Sequence, residues 1–255
     1  MKVFTRLAVS IAAAALLVAP LVVKADEFSK PQRSEIEKIV RQYLVSHPEV
    51  LQEAMSELEK RQTAAEEAKH KAAVEKYSQA LFYSPRQVTL GNPNGKVTFV
   101  EFFDYNCGYC KHAMGDMLTL LKDDPKLKVV LKEFPVLGPG SVEAARVAIA
   151  VRMQDKTGQK YLQFHKELLG GRGAANKERA LAVAKDVGMD MARIEKDMAS
   201  PEVKATMEEN FKLAEALGLN GTPSYVVGDN VIVGAIGLKG LEEKINTARC
   251  GKTAC

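Results

Sequence analysis

Two cysteines separated by two residues follow an apolar run that is typical of a β-strand. The run is VTFVEFF, residues 97–103, and the cysteines are Cys107 and Cys110. A strand that leads into a helix here places Cys107 at the helix N-terminus, where unpaired N–H groups and the helix dipole stabilise an anion. The thiolate is the nucleophile in disulfide exchange. We therefore predict that Cys107 attacks a disulfide and that Cys110, one turn further on, resolves the mixed disulfide.

Metal sites use the same spacing, so half of a zinc site is the alternative for this pair. The other cysteines, Cys250 and Cys255, lie at the end of the chain, and no His-x-x-x-His pair completes a ligand set. We expect neither a metal nor a cofactor. Of three possible disulfide connectivities, 107 with 110 and 250 with 255 is the simplest. Cys250 and Cys255 would then form a structural disulfide, with a redox or metal role as the alternative.

The first 25 residues have the features of a secretory signal peptide. Lys2 and Arg6 precede an apolar run, and residues 23–25 are Val, Lys and Ala, with small residues where a signal peptidase cleaves. We predict cleavage after Ala25 and export to an oxidising compartment, where disulfides persist. An uncleaved anchor is the alternative, but Pro20 interrupts the run, which is short for a membrane span.

The charge balance argues against nucleic acid as a partner. The sequence has 36 Lys and Arg residues and 32 Asp and Glu residues. Three basic residues and no acidic residue lie in the first 25, which leaves 33 basic against 32 acidic residues in the mature chain. A nucleic-acid surface would need a concentrated basic face.

The segment between Ser34 and Ser84 contains no glycine and predicts two helices. Ser34 and Glu37 fit a capping box, and Pro48 fits the start of the second helix. Apolar residues repeat at helical spacing as far as Leu58, and the following residues are charged and rich in alanine. We interpret residues 26–84 as a helical stalk and residues 34–83 as the site of homo-oligomerisation. The alternative is that the apolar stripe packs on the main domain.

Strands and helices alternate in the remaining residues, 85–255. The strand at 97–103, a helix after the cysteines and a buried strand at 129–134 imply a parallel pair with a right-handed crossover. Residues 141–218 are helical throughout, and a hairpin and a final helix follow. We predict an α/β domain with an all-helical insertion.

This order of elements, with Cys-x-x-Cys after the first long strand and Gly-Thr-Pro before the hairpin, resembles the DsbA branch of the thioredoxin superfamily. The segment VRQYLVSHPEVLQEAMSELEKRQ is similar to the N-terminal helices of suppressor-of-copper-sensitivity C proteins. The resemblance implies a thioredoxin fold with a DsbA-like helical insertion, preceded by an oligomerisation stalk. It also implies a periplasmic thiol:disulfide oxidoreductase, exported substrates with cysteines, a membrane-bound electron donor and a trimer.

The resemblance also assigns roles outside the cysteine pair. It implies that Pro223 is a cis-proline opposite the cysteines, that Thr222 beside it tunes specificity, and that Glu101 is a buried acid that relays a proton to Cys110. Strand alternation places Glu101 on an apolar face, where burial would raise its pKa. An exposed acid is the alternative, and a pairing of Lys132 with Glu101 is a further hypothesis. We interpret the four histidines as solvated; they are His47, His70, His112 and His165.

The dipeptide Gly108-Tyr109 between the cysteines bears on the direction of exchange. It differs from the Pro-His of strongly oxidising DsbA proteins and matches the DsbC isomerases, and Thr222 before the proline is also isomerase-like. We therefore favour an oligomeric isomerase or reductase in which Gly108 and Tyr109 contact the substrate along with Thr222 and Pro223. The alternatives are a monomeric dithiol oxidase and a copper-binding module that uses the two cysteines as soft ligands.

Overall fold

The computed structural model describes residues 28–255, so the predicted signal peptide and its cleavage site lie outside the described residues. The chain divides into two compact units, the first ending at Leu58 and the second running from Glu59 to Cys255. Between residues 28 and 255, no helix has both the length and the apolar character that a membrane span requires.

The first unit contains helix α1, Lys30–Ser46, and the beginning of helix α2, Pro48–Phe82. The predicted capping box at Ser34 and Glu37 is wrong, because α1 begins one turn earlier. Pro31 occupies its first turn, and Oε1 of Gln32 accepts a hydrogen bond of 2.9 Å from the N–H of Ser29. The predicted start of the second helix at Pro48 is confirmed. No residue of α1 is buried.

Helix α2 continues into the second unit and contributes to its core. Val74 and Leu81 are 3% and 0% exposed, and seven residues of separation place them on one face of the helix. They pack in a cluster with apolar residues of the sheet and the helices; its buried members include Val100, Phe102, Val130, Phe134 and Leu217. The units therefore divide earlier than residue 84, where the change in composition placed the end of the stalk. In this alanine-rich segment, composition alone does not indicate that Val74 and Leu81 are buried.

The strands of the second unit form one mixed sheet in the order β1-β3-β2-β4-β5. Their bounds are Val88–Gly91 for β1, Val97–Phe103 for β2, Leu127–Glu133 for β3, Ser224–Val227 for β4 and Asn230–Val233 for β5. Strands β2 and β3 are parallel, as the strand–helix–strand order predicts. The other neighbouring pairs are antiparallel.

The helices of the second unit confirm the predicted α/β domain with an all-helical insertion. Helix α3, Gly108–Asp123, connects β2 to β3, and helix α9, Gly237–Cys250, follows β5. The insertion between β3 and β4 consists of α4 Pro139–Gln154, α5 Gln159–Gly170, α6 Lys177–Asp186, α7 Met191–Met198 and α8 Pro201–Ala216. The sheet has an apolar cluster on each face, and the cluster that includes Cys107 and Cys110 lies on the face opposite to Leu81.

Two lysines of β3 cap the C-terminus of α2. Lys132 Nζ donates a hydrogen bond of 2.7 Å to the carbonyl oxygen of Ala80, and Lys128 Nζ donates one of 2.6 Å to that of Phe82. The last carbonyl groups of a helix have no partner within it, so these bonds satisfy them. The hypothesised pairing of Lys132 with Glu101 is therefore wrong. Lys132 extends to the α2 side of the sheet, and Glu101 lies on the side of the cysteines.

Shortening Leu81 should destabilise the second unit. Leu81→Ala removes fully buried contacts and leaves a cavity, so we expect the free energy of unfolding to fall by about 3 kcal/mol in urea denaturation. Gln79→Ala, at an exposed position of the same helix, should change it by less than about 0.5 kcal/mol. Equal effects of the two substitutions would contradict the packing of α2 in the core.

Candidate active site

Cys107 and Cys110 lie where β2 ends and α3 begins. Cys107 is the N-cap residue of α3, and its Sγ accepts a hydrogen bond of 3.2 Å from the N–H of Cys110. The thiol of Cys107 also lies 3.2 Å from the carbonyl oxygen of Thr222. Both cysteines are free thiols with little exposed surface. The short loop from β2 into α3 thus directs the donors of a helix N-terminus at one sulfur atom.

These surroundings favour the thiolate of Cys107 and the thiol of Cys110. The hydrogen bond from the Cys110 thiol lowers the pKa of Cys107 to about 6; burial opposes this shift, and the contact with Thr222 and the backbone N–H groups add to it. The same hydrogen bond, together with burial, raises the pKa of Cys110. Near neutral pH the first cysteine is therefore a nucleophile, while the second retains its proton.

The segment before β4 faces the cysteines. The peptide bond between Thr222 and Pro223 is cis, the geometry that the resemblance implies. Pairing of Ser224 with Phe102 brings this segment to the end of β2, and the Pro223 carbonyl oxygen accepts a hydrogen bond of 2.9 Å from the N–H of Gly234. Beside it, Gly108 and Tyr109 are exposed between the two buried cysteines. The sulfur atom of Cys107 therefore has two groups of neighbours, Thr222 with Pro223 on the facing segment and Gly108 with Tyr109 at the start of α3.

Glu101 lies on the cysteine side of the central strand. It is 2% exposed, which excludes the alternative of an exposed acid, and in the strand register it lies opposite Tyr225 of β4. Burial raises the pKa of Glu101 to about 8, and the charge of Cys107 contributes to the shift. A carboxyl group with such a pKa can exchange a proton near neutral pH.

A second buried acid, Glu133, was not predicted from the sequence. It lies at the end of β3, and its Oε1 accepts a hydrogen bond of 2.5 Å from the hydroxyl of Tyr161. The Tyr161 hydroxyl is 3.3 Å from that of Tyr105, which precedes Cys107 by two residues. Burial raises the pKa of Glu133 to about 8. The alternation of side chains along β3 could have indicated this position, because Glu133 shares a face with Leu131.

The interpretation of His165 as a solvated residue is wrong. His165 is 1% exposed, its ring stacks on Tyr161, and burial lowers its pKa to about 3. His165 follows Tyr161 by four residues, so helical spacing could have placed it on the buried face of α5. It is therefore a neutral residue of the core, and its ring contacts those of Phe103 and Tyr105, which precede Cys107.

The other two cysteines, Cys250 and Cys255, lie at the C-terminal end of the chain. Cys250 ends α9 and forms a disulfide with Cys255. The tail folds back on the helix, where the side-chain amide of Asn246 donates a hydrogen bond of 3.2 Å to the carbonyl oxygen of Thr253. Among residues 28–255, no group of three or more His, Cys, Asp or Glu side chains is arranged to hold a metal ion.

Comparison with known proteins gives matches over both units. Residues 98–246 match the family of DSBA-like thioredoxin domains, and residues 32–65 match the copper resistance protein ScsC N-terminal domain. The crystal structure of a thioredoxin-like oxidoreductase from Silicibacter pomeroyi DSS-3 is 44% identical, with a TM-score of 0.64, and the match covers 67% of this chain and 96% of that one. Salmonella enterica Typhimurium BcfH is 27% identical, with a TM-score of 0.73, over 86% of this chain and 96% of that one.

Several similar sequences belong to much longer proteins, Na(+)/H(+) antiporters. The Na(+)/H(+) antiporter NhaA of Herminiimonas arsenicoxydans is 27% identical over 164 residues, which are 63% of this chain and 25% of the antiporter. The chain therefore spans about a quarter of the length of that relative. The similarity therefore covers one segment of the antiporter and about two thirds of this chain.

Cys107 should titrate near pH 6, because the hydrogen bond from the Cys110 thiol lowers its pKa to about 6. Ultraviolet absorbance of the reduced protein measures this, with Cys107→Ser as the blank. Cys110→Ala removes the largest stabilising hydrogen bond and should raise the midpoint by roughly one pH unit or more, since a hydrogen bond to a charged group contributes about 1.5–3 kcal/mol. A midpoint above about pH 8 in the unmodified protein would contradict the assignment.

Glu101 should make the folded protein less stable as the pH rises. Its folded pKa is about 8, whereas an unfolded glutamate titrates at about 4.3. Between these values the folded state keeps a proton that the unfolded state has lost, so each pH unit removes about 1.4 kcal/mol from the free energy of unfolding. Glu101→Gln should make the slope of the free energy of unfolding against pH less negative by that amount in urea denaturation of the reduced protein between about pH 5 and 6, while the contributions of Glu133 and His165 remain. Glu143→Gln, at an exposed position, should leave the slope of the unmodified protein unchanged.

Proposed function

We propose that this chain, which belongs to the family of DSBA-like thioredoxin domains and is a thioredoxin-like thiol–disulfide oxidoreductase, acts as a disulfide isomerase or reductase on exported proteins. The observation that carries the proposal is the dithiol at the N-terminus of α3, in which the pKa of Cys107 is about 6. An isomerase needs a thiolate that attacks a misplaced disulfide, and Cys107 supplies one near neutral pH.

Exchange begins when the Cys107 thiolate attacks one sulfur atom of a client disulfide. A bond forms between Cys107 and that sulfur, the client disulfide breaks, and the other client sulfur leaves as a thiolate. In isomerisation, the released client thiolate attacks a second disulfide of the client and forms a new pairing. A client thiolate then attacks the mixed disulfide, and Cys107 leaves as a thiolate. No electrons are gained or lost overall, so this cycle consumes no reductant.

In the reductive branch, Cys110 attacks the sulfur of Cys107 in the mixed disulfide. The Cys110 thiol must first lose its proton, and we assign Glu101 as the base that receives it, because its pKa near 8 matches this task. A bond forms between Cys107 and Cys110, the client leaves with two thiols, and two electrons have passed to the client. A membrane-bound electron donor, which the family resemblance implies, would then reduce the enzyme again.

We assign substrate binding to the segment opposite the cysteines and to the dipeptide between them. The carbonyl oxygen of Thr222 lies 3.2 Å from the thiol of Cys107, and backbone groups so close to the sulfur can pair with an extended client segment. Gly108 and Tyr109 are exposed next to the same sulfur. A client in this position would meet Cys107 before the deeper Cys110.

The apolar stripe of the first unit supports self-association. In the single chain its large apolar side chains are exposed; they include Ile36, Ile39, Tyr43, Leu51, Met55 and Leu58. Contiguous exposed apolar surface marks an interaction site, and we propose that copies of this chain, three by resemblance, bury it together. Several reduced sites around one client would suit isomerisation in the periplasm, after removal of residues 1–25.

Removing the first unit should separate isomerisation from simple exchange. We compare the mature chain with a chain that also lacks residues 26–58, since this deletion retains Val74 and Leu81 in the core. We expect the mature chain to be an oligomer by light scattering and to reactivate scrambled ribonuclease. The shortened chain should be a monomer that reduces a small disulfide normally but reactivates ribonuclease about tenfold more slowly, because several sites no longer act on one client.

A pair of point variants controls for the loss of chain length. Ile39→Asp places a charge on the apolar stripe, where Ile39 is 59% exposed, and should reproduce the effect of the deletion. Arg41→Asp, on the polar face of α1, should leave the oligomer intact. Full ribonuclease reactivation by a monomer would contradict the role of the oligomer. Efficient oxidation of reduced peptides without reactivation would instead establish a dithiol oxidase.

A further inference from the structure

A loop of the helical insertion is attached to both sides of the cysteine motif. The loop connects α5 to α6 and comprises residues 171–176. Asn106, which directly precedes the first active-site cysteine, accepts a hydrogen bond of 2.7 Å from the N–H of Ala175 and donates one of 2.9 Å to its carbonyl oxygen. Lys111, which directly follows the second cysteine, donates a hydrogen bond of 3.0 Å to the carbonyl oxygen of Gly171. The backbone of the loop therefore lies against the residues that flank the cysteine pair.

Arg179 of α6 fixes the conformation of the same loop. Its guanidinium donates hydrogen bonds of 2.6 Å to the carbonyl oxygen of Gly173 and of 2.9 Å to that of Leu168. A Cβ at Gly171 would lie 1.9 Å from Nη2 of Arg179, so the guanidinium passes where any other residue would have a side chain. Gly173 has a φ of 82°, which favours glycine. The two glycines therefore allow the loop to close around one arginine.

Arg172 lies between these two glycines and is exposed. The carbonyl groups before and after it are both held, that of Gly171 by Lys111 and that of Gly173 by Arg179. In the described part of the chain, no acidic side chain forms an ion pair with Arg172. The loop thus presents an exposed guanidinium from a backbone that is fixed relative to the cysteine motif.

Exposed cations outnumber exposed acids around this loop. Lys111, in the first turn of α3, and Lys177, at the start of α6, are exposed in addition to Arg172, whereas the exposed acids of the flanking helices are Glu167 and Glu178. Such charges act over a Debye length of about 8 Å at physiological ionic strength. An acidic group of a bound polypeptide is therefore attracted to this edge, and a basic group is repelled.

A guanidinium group at this position is suited to one kind of partner group. Its planar donors match the two oxygens of a carboxylate, and the resulting pair is more directional than one with an ammonium group. Because hydrogen bonds already fix the backbone of the loop, binding a carboxylate here costs less conformational entropy than binding it at an arginine on a mobile loop.

We infer that Arg172 is a specificity-determining residue, which binds a carboxylate of a polypeptide while Cys107 attacks the disulfide of that polypeptide. The inference rests on the proposed function and names its substrate class: disulfides with aspartate or glutamate residues close to a cysteine. Arg172 takes no part in the transfer of electrons or protons. It raises the affinity for such substrates and leaves the chemical step unchanged.

The test measures single-turnover reduction of three disulfide peptides by the reduced mature chain. The peptides have the same length and carry aspartate, serine or lysine residues on both sides of the cysteine. Arg172→Glu should raise the half-saturation concentration of the aspartate peptide about tenfold, because the substitution replaces an attraction with a repulsion. It should lower that of the lysine peptide and leave that of the serine peptide unchanged. The limiting rates should not change.

Lys212→Glu is the matched control for the change in charge. Lys212 is exposed on α8, and its neighbours Leu213 and Ala214 pack in the apolar cluster on the face of the sheet opposite to the cysteines. This variant has the same net charge as Arg172→Glu and should reduce each peptide as the unmodified protein does. At about 1 M salt, where the Debye length is about 3 Å, the unmodified protein should lose its preference for the aspartate peptide over the lysine peptide.

A substitution at Gly171 tests the contribution of the fixed loop. Gly171→Ala displaces the guanidinium of Arg179, so we expect the half-saturation concentration of the aspartate peptide to rise about threefold while that of the serine peptide is unchanged. Gly115→Ala is the matched control, because a Cβ at Gly115 meets no atom within 4 Å. If Gly171→Ala does not fold, Arg172→Glu still decides the inference.

The outcomes distinguish this inference from the proposed function. An unchanged half-saturation concentration of the aspartate peptide in Arg172→Glu would overturn the inference, as would an equal increase with all three peptides. Failure of the unmodified protein to reduce any of the three peptides would instead overturn the proposed function.

Discussion

The hydrogen-bonded register of β2 between β3 and β4 is the constraint on which the candidate site depends. Parallel pairing with β3 places Glu101 beside Leu131, and antiparallel pairing with β4 places it beside Tyr225. The same register brings Ser224 opposite Phe102, so the cis-peptide segment that precedes Ser224 meets Cys107 at the end of β2. A slip of one residue would move Glu101 to the opposite face. It would also separate the cysteine pair from the segment that faces it.

The sheet also keeps two groups of ionisable side chains apart. Glu101 and Glu133 lie on the cysteine side, where burial raises the pKa of each carboxyl to about 8. Lys132 lies on the other side, where burial lowers its pKa to about 8 and its ammonium group bonds to the end of α2. An ion pair between Lys132 and Glu101 would lower the pKa of the carboxyl. By extending away from the acid, Lys132 anchors a helix and leaves the carboxyl able to exchange a proton.

The sequence predicts the features that depend on local pattern. The strand ahead of Cys107, the parallel strand–helix–strand unit, the helical insertion and the break at Pro48 all follow from periodicity and from glycine and proline positions, and the structure has each of them. Features that depend on tertiary contacts are harder to predict from the sequence. The hypothesis that Lys132 pairs with Glu101 is wrong because alternation along β3 places Lys132 on the opposite face of the sheet from Glu101. The solvated interpretation of His165 follows its residue type and neglects its helical spacing from Tyr161. Three of the hydrogen bonds that the Asp104 carboxylate accepts come from backbone N–H groups, which no composition reveals.

Glu101 and Asp104 are acids three residues apart whose surroundings give them different properties. Asp104 receives four hydrogen bonds, so its carboxylate is a fixed acceptor that organises the loop from β3 to α4, the start of α4 and the approach to Cys107. Glu101 lies within the strand among apolar neighbours, and burial dominates the shift of its pKa. A buried group that accepts from four donors holds structure, because its loss would leave each donor without a partner. A group whose charged form is destabilised by burial can gain or lose a proton at little cost near its pKa. Asp104 thus lies beyond the end of β2, where its backbone oxygen accepts a hydrogen bond from the N–H of Cys107, and Glu101 lies inside the strand, where the charge of Cys107 contributes to the rise in its pKa.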